Sequence, residues 1–336
     1  MPDPIAPAQA GVSRRDALQR IAVSLIAAPA ILHGRYRLAA DVPHEYSARA
    51  IRLVQESLVV DLLNQFRFAD FAESPPKSTL WLTKAKSMTA TDFETYRTSG
   101  YNVIALGHSP ADYAAGVRFF ADWNGFIAGY PDWFVRIDDA SDFEAAKKAG
   151  KVGIMITFQN SDHFRTPDDV DTFFALGQRL SQLTYNYQNR IGSGFLETND
   201  GGLTVFGHDI VARMNTVGMA VDLSHCGDRT TLDALDAAAR PVVFSHASCR
   251  ALLPGHLRCK TDEMIMKMAK TGGVMGIPFL RLDAKGERML TVQGLDHPKR
   301  MFDLTEGLIK RGYSDTNVAA ILGRNAARVL PTIWKG

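Results

Sequence analysis

The sequence has few cysteines and almost no net charge, and its longest clear apolar run is too short to span a membrane. Each of these shortages excludes a class of protein. Three cysteines in 336 residues cannot form the disulfide framework of a small secreted domain, although one bridge is possible. The 38 basic and 36 acidic side chains nearly cancel, so a nucleic-acid partner is not expected. The apolar run from Ile21 to Leu32 is shorter than the roughly 20 residues of a transmembrane helix. With 46% hydrophobic residues, the composition is that of a globular protein.

The first 40 residues have the pattern of an export signal. Paired Arg14 and Arg15 stand just before the run from Ile21 to Leu32, which has the length of a signal-peptide core. We therefore expect residues 1–40 to be a twin-arginine-type signal peptide that is removed near Ala40. The mature chain would then be periplasmic or otherwise exported. The alternative is that this segment forms an amphipathic first helix of the fold.

In the remaining residues, 41–336, short apolar runs alternate with helical patterns. Seven runs are rich in Val, Ile and Leu on both faces, which is typical of buried parallel strands. They are residues 58–63, 102–106, 152–158, 180–185, 219–223, 242–245 and 273–277. Among the helical patterns, residues 262–270 follow Thr261, a candidate N-cap. The alternation predicts an α/β fold with a parallel sheet, either a barrel or a doubly wound sheet. Seven strands are one fewer than a closed (β/α)8 barrel requires.

Four of the nine histidines follow these candidate strands, and they are His108, His163, His225 and His246. The C-terminal ends of barrel strands share one rim, and that rim carries the active site. Imidazole is the commonest neutral metal ligand, so the pattern indicates a metal or catalytic site. His225 and His246 are the stronger pair, because each closes an apolar strand in a Ser-His dipeptide on consecutive strands about 5 Å apart. His108 and His163 fit loop or packing positions equally well.

Several segments resemble the renal (membrane) dipeptidase family of zinc peptidases. They include GLTVFGHDIVARMNTVGMAVDLSHCGDRTTLDALDAAARPVVFSHASCRAL from Gly202, QLTYNYQNRIGSG from Gln182 and GYSDTNVAAILGRNAARVL from Gly312. The resemblance implies a (β/α)8-type TIM barrel over residues 41–336, here with the eighth strand missing or replaced. It also implies a two-zinc centre, a small peptide-like substrate hydrolysed by a metal-activated water, and a possible homodimer.

The resemblance carries the family's site onto this chain only in part. His225 and His246 stand where the family has two histidine ligands of one zinc. Arg258 stands where an arginine grips the substrate carboxylate. Tyr185 stands where relatives carry His or Tyr to meet the reacting oxygen. These four residues are the expected remnant of the family site.

Three family ligand positions are degraded in this chain. Leu63 and Gln65 replace a His-x-Asp pair that binds the other zinc, and Gln159 replaces a glutamate that bridges both metals. A leucine cannot bind metal, and a neutral amide cannot offset the repulsion of two dications. We therefore expect one zinc per chain, held by the histidine pair and one further ligand. The candidates for that ligand are His108, Asp162 and His163. Asp222 is a weaker candidate, because strand alternation directs it away from His225.

The sequence leaves three functions open. The first is an exported metal-dependent hydrolase of dipeptides or related small amides, with an altered one-metal site. The second is a non-catalytic descendant of the family that binds a peptide or a partner protein. The third is another hydrolysis on the same barrel, such as lactone opening, because a fold does not fix its chemistry. In each case something should cover the sheet edge that the missing strand would leave exposed.

Overall fold

Parallel strands with helices between them organise the computed structural model. The structure describes residues 34–38, 44–67, 75–282, 289–292 and 294–334. The paired arginines and the apolar run of the predicted signal peptide lie outside these ranges. Across them, no helix combines the length and the apolar character needed to cross a membrane.

The described chain begins with a short antiparallel pair of strands, β1 (Arg35–Tyr36) and β2 (Tyr46–Ser47). The guanidinium of Arg35 donates to Glu306 Oε1 at 3.1 Å, which fastens β1 to a C-terminal helix. Residues 34–38 lie on the N-terminal side of the predicted cleavage point at Ala40. Cleavage there would therefore remove β1 from the domain.

Nine parallel strand segments follow in the described part of the chain. They are β3 (Val60–Asn64), β4 (Val103–Leu106), β5 (Phe134–Arg136), β6 (Val152–Met155), β7 (Thr157–Phe158), β8 (Leu180–Gln182), β9 (Ala220–Asp222), β10 (Val243–Phe244) and β11 (Val274–Met275). One sheet has the order β3-β4-β6-β5, and the other has the order β11-β10-β9-β8-β7. Since only Ile156 separates β6 from β7, the two sheets continue into each other. The predicted α/β fold with parallel strands is confirmed.

Two features of the strands differ from the sequence-based expectation. β5 was not predicted, and it pairs with the first half of β6. It is only three residues long and directly follows a helix, so its apolar pattern is too short to be recognised. After β11 the chain forms an antiparallel pair, β12 (Leu280–Leu282) and β13 (Met289–Thr291). Within the described residues no strand pairing joins β11 to β3.

Helices cover the parallel strands. They are α1 (Ala48–Glu56), α2 (Lys77–Thr83), α3 (Ala90–Arg97), α4 (Tyr113–Gly129), α5 (Ala140–Lys148), α6 (Asp168–Leu176), α7 (Val205–Val217), α8 (Asp228–Ala237), α9 (Asp262–Lys270), α10 (Arg300–Lys310), α11 (Asp315–Ala319) and α12 (Asn325–Trp334). A short 3-10 helix covers Arg250–Leu252, and a π-helical turn covers Ala320–Arg324. The N-terminus of α9 lies where the sequence predicts it, because the Thr261 side chain accepts the N–H of Met264.

The strands separate two apolar layers, as their alternating side chains require. In β4, Ile104 packs in the layer beneath the covering helices, whereas Val103 and Ala105 belong to the other layer. α12 contributes to this second layer, which contains its residues Ala326, Val329, Leu330 and Ile333. The turn before α12 approaches β3 so closely that a Cβ at Gly323 would lie 2.4 Å from Leu58 O. Only glycine permits that contact.

Candidate functional site

The two Ser-His dipeptides lie side by side at the C-terminal ends of β9 and β10. The rings of His225 and His246 are only 4% and 5% exposed, and their Nε2 atoms are 2.9 Å apart. The parallel register explains this proximity, because Asp222 pairs with Val243 and each strand then reaches its histidine after three further residues. The structure thus brings together the two histidines that the sequence singled out.

A buried carboxylate organises both dipeptides from below. Asp222 accepts hydrogen bonds from the backbone N–H groups of Ser224 and Ser245, at 3.0 Å each. It also accepts the hydroxyl protons of both serines. Burial raises the pKa of the Asp222 carboxyl, and these hydrogen bonds oppose the shift. Strand alternation does direct Asp222 away from the rings, as expected, but the carboxylate fixes the loops that carry them.

The hydrogen bonds of each ring limit which nitrogen carries the proton. Ser245 gives its hydroxyl proton to Asp222, so the contact of 2.7 Å between Ser245 Oγ and His246 Nδ1 needs a proton on Nδ1. His225 Nδ1 lies 2.7 Å from Asn186 Oδ1, which accepts its proton in the tautomer that matches His246. In that tautomer both Nε2 atoms carry lone pairs, which face each other across 2.9 Å; the other tautomer of His225 places a hydrogen bond between the rings.

The electrostatic surroundings keep both rings neutral. Burial lowers the pKa of His225 and His246 well below the usual range, and the nearby charge of Arg258 adds to the effect. Neutral imidazole is the form that binds metal. Two facing lone pairs repel unless a cation lies between them, so the geometry and the protonation states both fit a shared ion.

The side chains of Leu63 and Gln159 lie together near the pair. A Cβ added at Gly107 would lie 2.5 Å from Leu63 Cδ1 and 2.9 Å from Gln159 Oε1, so these two side chains meet at that point. Gln159 Nε2 lies 3.2 Å from His246 Nε2 and can donate to its lone pair. Gln65 is exposed. This part of the rim offers an amide and a methyl group where a second metal would need anions.

The expected third ligand is not found at the pair in the part of the chain that the structure describes. His163 is fully buried among Phe158 and Phe173, its Nε2 contacts Gln178 Oε1 at 3.1 Å, and burial lowers its pKa to about 3. His108 stacks on Phe119, with ring centroids 4.3 Å apart. Across the described ranges no three His, Cys, Asp or Glu side chains are placed to hold a metal, so Asp162 does not complete the site either. His163 and His108 are explained by aromatic packing.

Arg258 binds backbone oxygens of both loops. Its two terminal nitrogens donate to Ser224 O and His246 O, at 2.7 Å each. The side chain is buried, which lowers its pKa to about 10, so the guanidinium stays charged at neutral pH. Two of its five N–H donors are used in these bonds.

A cavity of about 390 Å³ opens beside His225. Its lining residues are Ser109, Asn160, Asp162, Tyr185, Asn186, Tyr187, Gln188, Asn189 and Arg190. Two of them contact the histidine: the Tyr185 ring stacks on it with centroids 4.4 Å apart, and Asn186 accepts its Nδ1 proton. A ligand in this cavity would therefore lie next to the histidine pair.

Sequence reasoning missed several residues that shape the site. Asn186 lies in the family-like segment from Gln182 but was assigned no role, and Asp222 was considered only as a weak ligand. Lys260 is completely buried, and its ammonium donates to Cys226 O at 2.8 Å and Thr231 Oγ1 at 3.0 Å. Burial lowers its pKa to about 8. The sequence did contain a sign of the role of Asp222, because this acidic residue stands directly before Leu223-Ser224-His225 at the end of an otherwise apolar strand.

The fold and the site define an α/β protein in which parallel strands end in a buried histidine pair beside a cavity, an arrangement suited to enzymes. The sequence model of the membrane dipeptidase family, peptidase family M19, matches residues 121–288, which is half of the chain. The chain belongs to this family of metallopeptidases.

Individual relatives agree with this assignment. Dipeptidase verJ of Clonostachys rogersoniana is 30% identical over 241 residues, which cover 62% of each chain. Dipeptidase tcpJ of Claviceps purpurea (strain 20.1) is 32% identical over 162 residues, or 38% of each chain. The matches thus span less than two thirds of the length of these curated relatives.

Solved structures extend the likeness over most of the chain. An amidohydrolase from Pseudomonas aeruginosa has a TM-score of 0.73 and 26% identity, with coverage of 85% of this chain and 99% of that chain. A metallo peptidase from Rhodobacter sphaeroides, liganded with a phosphinate mimic of the dipeptide L-Ala-D-Ala, has a TM-score of 0.71 at 15% identity. It covers 83% of this chain and 100% of its own, and this second likeness establishes the fold alone.

Proposed function

We propose that this protein is an exported, metal-dependent hydrolase of dipeptides or related small amides, with one zinc held by His225 and His246. The observation that carries the proposal is the 2.9 Å separation of the two buried imidazole Nε2 atoms beside a cavity. Zinc binds imidazole nitrogen at about 2.0–2.1 Å, so both nitrogens are within reach of one ion. The family assignment and the names of the relatives support peptide hydrolysis.

The residues fit one ion better than two. His225 and His246 are preorganised donors whose Nδ1 atoms are held by Asn186 and Ser245. Gln159 provides only an amide beside them, and Leu63 provides no donor. When bound, a zinc ion polarises a carbonyl and activates water at neutral pH. The second metal position of the family would lack the anions that it needs.

The other residues bind and orient the substrate. Tyr185 lies in the cavity wall and stacks on His225, so its hydroxyl can meet the reacting group. Arg258 holds the two histidine loops and can direct its other donors to a substrate carboxylate. Replacing that carboxylate with a carboxamide should weaken binding by about one to two decades, since a charge-assisted contact contributes roughly 1.5–3 kcal/mol. Equal affinity for the two ligands would limit Arg258 to its contacts with the backbone.

A second candidate function has its own supporting observation. Leu63 and Gln159 occupy the rim without a charge, and no third acidic, histidine or cysteine ligand joins the pair within the described residues. A non-catalytic protein that binds a peptide or a partner protein would have the same features. The two candidates differ in whether metal binds to the histidine pair.

Metal analysis of the purified chain, together with a dipeptide hydrolysis assay, separates the candidates. One zinc per chain and hydrolysis are expected. His225→Ala and His246→Ala should each remove most of the zinc and the activity, and the double variant should add little, because the ligands act as a unit. His208→Ala is the matched control, since His208 is exposed on α7. Two metals per chain would contradict the single-metal site, and no metal would favour the non-catalytic function.

Export is part of the same proposal. Arg14 and Arg15 precede an apolar run of signal-peptide length, and the twin-arginine route carries proteins that fold and acquire metal before export. The fate of β1 depends on the cleavage point. Removal up to Ala40 releases Arg35 from Glu306, whereas an earlier cleavage keeps that contact.

A further inference from the structure

An acidic side chain in the cavity has no cationic partner among the residues that the structure describes. Asp162 is exposed in the cavity wall, and its side chain accepts hydrogen bonds from the neutral amides of Asn160 and Asn189. Arg190 belongs to the same wall, but its Nη1 donates to Arg165 O at 3.1 Å. Its guanidinium also lies over the ring of Phe206, 4.2 Å from the centroid. The negative charge of Asp162 is therefore available to a ligand.

Asn160 fixes this carboxylate and leaves an unused acceptor next to it. Its Nδ2 donates to Pro110 O at 3.0 Å and to Asp162 Oδ2 at 2.5 Å. These two acceptors determine which way the amide faces. Its carbonyl oxygen, Oδ1, has no donor among the described residues, although Asn160 is only 5% exposed. A buried acceptor without a partner costs roughly 1–3 kcal/mol, so a donor from a ligand would be stabilising.

We propose that Asp162 and Asn160 form a subsite that binds the protonated amino group of a peptide-like ligand. The proposal deepens the proposed function, on which its choice of ligand rests. A primary ammonium carries three donors and one positive charge, which match a carboxylate and a neighbouring amide oxygen. A neutral amide or a lactone lacks both the charge and the surplus of donors. The subsite therefore selects ligands with a free amino terminus.

The position of the subsite connects recognition with chemistry. Asp162 and Asn160 share the cavity wall with Tyr185 and Asn186, both of which contact His225. A ligand held by its amino group would then place the adjacent backbone atoms beside the histidine pair.

The test compares two probes on the full-length purified chain. Alanyl-alanine has a free amino group, and N-acetyl-alanyl-alanine does not. Calorimetric titration should show tighter binding of the free peptide. Asp162→Asn keeps the shape of the side chain and should weaken that binding roughly ten- to hundred-fold while leaving the acetylated probe unchanged. Asp209→Asn is the matched control, because Asp209 is exposed on α7 and should leave both affinities unchanged.

The outcomes separate this subsite from the hydrolase proposal. Equal binding of the two probes, no binding of either, or an unchanged affinity in Asp162→Asn would overturn the subsite. The double variant His225→Ala with His246→Ala should lose hydrolysis and keep the preference for the free amine. If the parent chain shows that preference without hydrolysing the peptide, the subsite stands and the hydrolase proposal fails. Hydrolysis of both probes at equal rates would overturn the subsite and support the hydrolase proposal.

Discussion

Replacing Asp222 with asparagine should change the protonation of His246 without removing any atom from the site. Three of the four hydrogen bonds to Asp222 go to Oδ1, and an asparagine oxygen can keep them. The fourth comes from the hydroxyl of Ser245 to Oδ2. An amide group at that position would donate to Ser245 instead. The Ser245 proton would then turn towards His246 Nδ1 and shift the ring proton to Nε2, which faces His225.

The size of the effect follows from the contacts. Hydrogen bonds to a charged group contribute roughly 1.5–3 kcal/mol each, against about 0.5–1.5 kcal/mol for neutral groups. Four bonds weakened by about 1–1.5 kcal/mol each correspond to roughly 4–6 kcal/mol, and removal of a buried charge offsets part of it. We expect a loss of about 1–3 kcal/mol in the free energy of unfolding. The displaced lone pair should lower zinc affinity by about 10- to 100-fold, as loss of a hydrogen bond behind a ligand usually does.

Three measurements check this prediction. Urea denaturation gives the free energy of unfolding, calorimetry gives the zinc affinity, and nitrogen NMR of the metal-free protein gives the ring tautomers. Asp209→Asn serves again as the matched control, because it changes the same charge on an exposed helix face. If Asp222→Asn leaves the zinc affinity and the His246 tautomer unchanged, the network does not set the orientation of the ring, and the two lone pairs do not face each other as inferred.

Three further predictions concern the rim, a buried charge and export. Gln159→Glu should bind zinc more tightly by restoring a carboxylate beside His246 Nε2, and unchanged affinity in calorimetry would place that side chain outside the ion's reach. The pKa of Lys260 falls from 10.5 to about 8 on folding, so the unfolded chain holds its proton over a wider pH range. The free energy of unfolding of the parent chain, compared with that of Lys260→Met, should therefore rise by on the order of 3 kcal/mol between about pH 8 and pH 10.5. Denaturation curves at a series of pH values measure this difference, and a difference that does not change with pH would contradict the prediction. Arg14→Lys combined with Arg15→Lys should leave an unprocessed precursor in the cytoplasm, and normal export in cell fractions would exclude the twin-arginine route.

The sequence predicted those parts of the molecule that depend on local pattern. The strands that end at Asp222 and Phe244 are short and apolar up to their last residues. The same Ser-His dipeptide follows each strand, so both histidines are expected at the same height above the sheet. The start of α9 was equally accessible, because Thr261 is a local capping residue whose partner lies three residues away. Because β9 and β10 pair in parallel, the two histidines then come into contact.

Properties that depend on distant partners could not be predicted in the same way. His163 follows a strand just as His225 does, but the ring is enclosed by Phe158 and Phe173, and the second of these lies on a helix. Arg258 was expected to face a substrate, and its contacts with Ser224 O and His246 O depend on how two loops fold over the strand ends. Whether a histidine after a strand packs in the core or binds a metal depends on its neighbours in the folded protein. The sequence pattern of a single strand does not contain these neighbours.

The cost of the buried charges helps to distinguish the two functions. Asp222, Arg258 and Lys260 are all buried around the Ser-His loops. Each buried ion carries a desolvation penalty of several kcal/mol, and apolar residues of similar size are often more stabilising. A scaffold that only had to pack these loops would not need them. Their combined effect is to hold two neutral rings with Nε2 atoms 2.9 Å apart, within reach of one ion. A protein that binds a peptide without metal has no use for two neutral donors held at that separation, so the network favours the metal-dependent hydrolase over the non-catalytic alternative.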